Sequence, residues 1–120
     1  MNQRKGRRPV AVALACVALA LLAACGTSAP APRAPAVIEN RVTGFKFQPT
    51  PQHVHVGDTV RWTNLDQSQH TSTSDKEGGW DSPRLDRNGV FEQRFAAVGD
   101  FKYHCAVHPF MHGEVVVDGA

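Results

Sequence analysis

The chain has 120 residues, with 13 Lys and Arg against 11 Asp and Glu, and a formal charge of +2. That length holds one small domain and not two. Four basic residues lie in the first eight positions, so residues 25–120 carry nine basic and eleven acidic side chains, and the basic stripe that a nucleic-acid binder keeps on its folded part is missing.

Arg4, Lys5, Arg7 and Arg8 precede an unbroken apolar run over residues 10–24. Basic residues followed by a short apolar run form the layout of an export signal. Fifteen apolar residues fall short of the ~20 that span a bilayer. The Arg7-Arg8 pair lacks the flanking residues of a twin-arginine signal and belongs to the basic leader. The run ends Leu22-Ala23-Ala24-Cys25, which resembles the lipobox of bacterial lipoproteins. That resemblance implies that residues 1–24 are a signal peptide. It also implies that Cys25 is the lipidation site, anchoring the chain to the outer face of the cell membrane, in a periplasm or at the cell surface. Residues 26–36 contain Pro30, Pro32 and Pro35 among Ala, Ser and Gly. Proline at this density favours extended polyproline conformation, and eleven residues reach about 30 Å. Residues 25–36 therefore read as a lipidated cysteine with a Pro/Ala-rich tether.

The remaining residues, 37–120, hold eleven Val and six Phe but two Leu and one Ile, a β-rich composition. Period-two alternation recurs along them. Val54 and Val56 share one face, with His53 and His55 on the other. Val60, Trp62 and Asn64 alternate with Arg61 and Thr63; Phe91, Gln93 and Phe95 with Glu92 and Arg94; Phe101, Tyr103 and Cys105 with Lys102 and His104. Gly57-Asp58, Gly78-Gly79, Asn88-Gly89 and Gly99-Asp100 supply turns between the runs. The expectation is an all-β antiparallel sandwich or barrel, near the lower size limit for a self-sufficient core.

With residues 1–24 removed and Cys25 lipidated, Cys105 is a lone thiol in an exported protein, and such a thiol needs a reason. Cys105, His108 and Met111 are spaced C-x2-H-x2-M in one loop, between a strand ending at Cys105 and one beginning near Glu114. Thiolate, imidazole and thioether together select copper, and Cys-His₂ with a weak axial Met is an electron-transfer copper arrangement. The second imidazole lies outside the loop. His70 is the best candidate, in competition with His53, His55, His104 and His112. The spacing of His53 and His55 also permits a metal-capture pair, though a solvated strand face is the simpler reading. His112 reads as loop surface, and Trp62 and Tyr103 as core.

These segments resemble the cupredoxins, the type 1 blue copper proteins, and within them the amicyanin-like and plastocyanin-like branch. The resemblance rests on Gly44-Phe45-Lys46-Phe47-Gln48-Pro49, on Gly57 through Asn64, on His70, on Val98 through Cys105 and on Pro109-Phe110-Met111 with Gly113 through Val117. It implies a Greek-key β-sandwich with one copper ion at its end, held by His70, Cys105, His108 and Met111. It further implies that the Thr71 N–H donates to the Cys105 sulfur, although Thr71-Ser72-Thr73-Ser74 is richer in hydroxyls than the family usually is there. The implied function is single-electron transfer by a monomer, without enzymatic chemistry and without nucleic acid. Pro109 and Phe110 then surround His108 as the docking patch for a redox partner such as a dehydrogenase, cytochrome or oxidase. A copper buffer or delivery protein would use the same site and differ by having no redox partner. A nucleophile–base pair of Cys105 and His108 lacks an orienting third group. A two-copper centre needs a second cysteine within 106–111, which the loop does not contain. Zinc is the competing ion for a Cys-His₂ set.

Overall fold

A computed structural model describes residue 26 and residues 28–119. The export signal and Cys25 lie outside the described residues. One compact unit covers Ala31–Ala120. It holds eight strands: β1 (Val37–Thr43), β2 (Lys46–Gln48), β3 (Gln52–His55), β4 (Thr59–Asn64), β5 (Thr73–Ser74), β6 (Val90–Arg94), β7 (Gly99–His104) and β8 (His112–Asp118). Among the described residues there is no helix.

The expected β-sandwich is present as two four-stranded sheets, ordered β2-β1-β4-β6 and β3-β8-β7-β5. Pairing within each sheet is mixed: β1 runs parallel to β4, and β3 parallel to β8, while the other pairs are antiparallel. Parallel neighbours require a crossover rather than a hairpin. Here chain segments pass from one sheet to the other, as in a Greek key.

The alternation read from the sequence becomes the two faces of each sheet. Val42, Val54, Val60, Val115 and Val117 point into the interior with Phe47, Trp62, Phe95 and Tyr103. Trp62 and Tyr103 are fully buried, and the indole N–H of Trp62 donates to the Tyr103 hydroxyl at 3.1 Å. A buried indole and phenol need such a partner. Trp80 stacks on Trp62 with ring centroids 5.9 Å apart, and its N–H donates to Ser72 at 2.9 Å. Trp80 is partly buried and packs against the aromatic core.

Strand β8 begins at His112, two residues before the expected start, because His112 pairs with His104 across the β7–β8 hairpin. The expectation of His112 on a loop is therefore replaced by a place on a strand. The hairpin packs tightly. A Cβ on Gly113 would lie 2.3 Å from the Tyr103 ring, so only glycine fits between the strand and that ring.

Candidate metal centre

Three elements converge at one end of the sandwich. Cys105 follows the last residue of β7, fully buried on the same face as Tyr103. Residues 106–110 then loop back before β8. Cys105 N–H donates to the Met111 carbonyl at 3.1 Å, and Met111 N–H to the His108 carbonyl at 2.9 Å. These two bonds close the loop on itself and leave His108 half-buried at its tip. His70 enters from the other sheet, in the segment after β4. It exchanges both backbone hydrogen bonds with Leu85, at 3.2 and 2.8 Å, and is fully buried.

The donor atoms form a triangle. Cys105 Sγ lies 3.8 Å from His70 Nδ1 and 3.8 Å from His108 Nδ1, and the two nitrogens are 3.2 Å apart. The point equidistant from all three lies about 2.1 Å from each, within the range of metal–nitrogen and metal–sulfur bonds. Three soft or borderline donors at that spacing, one thiolate and two imidazoles, fit one copper ion. The histidines that competed with His70 are placed elsewhere. His53, His55 and His112 are exposed on strands, and His104 faces away from Cys105. Met111 is buried beneath the loop in the hydrophobic core. Pro109 and Phe110 are exposed on the loop beside His108, Phe110 at 69%.

The residues behind the triangle orient it. The Thr71 N–H donates to Cys105 Sγ at 3.3 Å, as the family resemblance implied. Thr71 Oγ1 in turn accepts from the Ala106 N–H at 2.7 Å, tying the His70 segment to the loop. His70 Nε2 donates to Asp66 Oδ2 at 2.9 Å, which leaves the Nδ1 lone pair for the metal. Such carboxylate–histidine pairs set tautomer and ring orientation. The Asp66 carboxylate also accepts from Gly44 N–H at 2.7 Å and Phe45 N–H at 2.9 Å. Burial alone would raise its pKa, but these N–H groups and His70 outweigh that and hold it below the ordinary carboxylate value.

Gly44 and Phe45 both have φ of 59°, the two-residue turn between β1 and β2. Turns with both central residues left-handed suit right-twisted hairpins. Asp66 clamps this turn, and the turn sets the Phe45 ring edge-on to both imidazoles, with centroids 5.3 Å from His70 and 5.0 Å from His108. Phe45 is 40% exposed and reaches Phe110 at 6.4 Å, so it extends the apolar surface around His108. Neither Asp66 nor Phe45 emerged as a site residue from the sequence. The signal for Asp66 was its place four residues before His70. Phe45 carried none, because its approach depends on a left-handed backbone.

A small β-sandwich with a buried mononuclear Cys-His₂ centre at one end defines a class of metalloprotein. The sequence matches the family described as "Cupredoxin-like domain" over residues 14–117, and the chain belongs to that family. It is 33% identical over 113 residues to amicyanin-alpha of Methylorubrum extorquens, covering 90% of this chain and 95% of that protein. It is 32% identical over 81 residues to amicyanin of Paracoccus denitrificans; this match spans 64% of the chain and 62% of that relative's length. Among solved structures, the Cu(I) form of a methionine-to-alanine mutant of amicyanin superposes with a TM-score of 0.65 at 32% identity, over 72% of this chain and 86% of that one. The oxidised state of a proline-to-alanine mutant gives 0.64 at 33% identity, over 68% and 82%.

Proposed function

We propose that this protein is a single-electron carrier, exported and held at a membrane by lipid on Cys25, with one type 1 copper ion bound by His70, Cys105, His108 and Met111. The observation that carries the reading is the triangle of Cys105 Sγ, His70 Nδ1 and His108 Nδ1, whose three sides leave room for one ion within bonding distance of all three donors. Copper supplies reversible one-electron chemistry there. The chain does the rest. Two sheets and a hydrogen-bonded loop fix the donors before any ion arrives, so little rearrangement accompanies a change of charge. Burial of His70 and Cys105 keeps water from the ligands. The N–H of Thr71 on the sulfur stabilises thiolate charge and tunes the potential. Met111, buried at the base of the loop, would hold the ion with its thioether sulfur as a fourth, weaker donor.

Electrons enter or leave through His108, the half-buried ligand, across the patch of Phe45, Pro109 and Phe110. A small apolar patch suits brief docking of a redox protein, because weak electron-transfer encounters bury little area. Neither a substrate nor an enzymatic step belongs to this reading.

The decisive measurement is the visible spectrum of the copper-loaded chain lacking residues 1–25. An intense thiolate-to-copper(II) charge-transfer band is expected, and its loss in Cys105→Ser. A colourless protein at full copper(II) occupancy refutes the assignment. For the tether, Cys25→Ser is expected to move the expressed protein from the membrane fraction to the soluble one. Unchanged membrane association rejects lipid anchoring at Cys25.

A further inference from the structure

Four of the six histidines are not donors of the triangle, and two of these are cross-strand neighbours. His104 on β7 is the register partner of His112 on β8. The next pair toward the loop, Cys105 and Met111, is joined by a backbone hydrogen bond. Hydrogen-bonded and non-hydrogen-bonded pairs alternate along an antiparallel ladder. His104 and His112 therefore form a non-hydrogen-bonded pair, the type in which side chains come closest. The Cβ atoms of such pairs stand about 4.5–5.5 Å apart, so two imidazoles reach one ion between them. Both point away from the core, since Tyr103 and Gly113 on either side of the same turn are buried.

His104 also has the partner that metal-ligating imidazoles have. Its Nδ1 lies 2.5 Å from Asp75 Oδ1. With the proton held on Nδ1 by the carboxylate, Nε2 presents its lone pair outward. Asp75 is fixed in turn, because its backbone N–H donates to the Lys102 carbonyl at 2.9 Å. Asp75 and His112 line one surface cavity of about 330 Å³ together with Thr50, Lys102 and Glu114. Lys102, a cation lining the same cavity, has Glu114 as its register partner. His53 lacks this arrangement: its cross-strand partner is Val116, and it approaches the exposed Asp118 only to 3.6 Å.

We infer that the outer face of the β7–β8 hairpin is a second metal site, with His104 and His112 as imidazole ligands and Asp75 orienting His104, for a borderline divalent cation such as Zn²⁺ or Ni²⁺. Water completes the shell of the ion, so it is held more weakly than an ion at the buried centre. Imidazole donors without thiolate favour these cations over magnesium or calcium.

The test is calorimetric titration of Zn²⁺ into the untagged, copper-loaded protein, with the visible spectrum followed in parallel. One zinc equivalent beyond the copper is expected, with the spectrum retained. His112→Ala is expected to weaken that binding about tenfold or more, as is Asp75→Asn, while His53→Ala leaves it unchanged. In proton NMR of the zinc-loaded, reduced protein, the ring signals of His104 and His112 move and those of His53 and His55 do not. The proposal is overturned by absence of the extra equivalent, by binding that survives His112→Ala, or by zinc uptake matched by copper loss.

Discussion

Phe45 and Asp66 show how much one residue contributes to a metal centre without touching the metal. A bulky side chain in the left-handed region costs about 1–3 kcal/mol, and it persists only where its surroundings hold it. Asp66 does the holding, with two backbone N–H groups and the His70 ring on one carboxylate. Asp66→Asn places an amide where only acceptors fit, so it releases either the turn or the ring. Copper affinity is expected to fall about 10- to 100-fold, as for other carboxylates behind metal-bound histidines, read by competition with a chelator of known affinity. Phe110 acts outward instead. Phe110→Glu puts a charge into the patch beside His108 that a docking partner must desolvate. Electron exchange with a partner is expected to slow by about an order of magnitude, with the copper spectrum unchanged. Equal exchange rates in stopped-flow mixing contradict a docking role for the patch.

At the scale of elements, the β7–β8 hairpin joins the core to the site. Tyr103 packs against Gly113 within the hairpin, two residues before the thiolate. Burial pushes the Tyr103 phenol well above its ordinary pKa, so it stays a neutral partner of Trp62. Gly113→Ala drives a methyl group into that ring and is expected to destabilise the fold by about 1–3 kcal/mol, the usual cost of overpacking. Urea denaturation measures it, and a midpoint equal to the parent's shows that Tyr103 gives way. This contact was hidden in the sequence, where Gly113 only preceded the strand expected to begin near Glu114. The alternation of β7 was plain, by contrast, because period two maps directly onto two faces of a sheet.

Over the whole molecule, one buried carboxylate ties the start of the unit to its centre. The Asp58 side chain is fully buried and accepts from Arg33 at 2.8 and 2.9 Å, from Ala36 N–H at 2.8 Å and from His55 N–H at 2.9 Å. Burial alone would raise its pKa; the Arg33 guanidinium and the two N–H groups more than offset this and hold it at about 2, against the ordinary 3.8. A carboxylate with a lowered folded-state pKa contributes stability above pH 3.8, and that contribution is lost as pH falls toward 2. The difference corresponds to about 2 kcal/mol. Metal-free protein, in which copper release does not intrude, is expected to lose at least that much stability between about pH 5 and pH 2, with the lowered Asp66 carboxylate adding to the loss. Arg33→Ala is expected to flatten this part of the profile. A slope unchanged by Arg33→Ala shows that the guanidinium does not hold the carboxylate. Arg33 belongs to the Pro/Ala-rich stretch that composition marked as tether, and a linker composition carries no sign of such a long-range pair.

Composition and order were enough for the β class, the inward faces and the Cys105-His108-Met111 loop, because each depends on residues close together in the chain. Two-residue periodicity and three-residue loop spacing survive in one dimension. The convergence of His70 with that loop, the parallel pairs in both sheets, the clamp of Asp66 on Gly44 and Phe45, the pairing of His104 with His112 and the anchoring of Arg33 by Asp58 were decided by the fold. Each joins segments brought together only when the two sheets close on a common core, and no local pattern of residue types records which distant segments will meet.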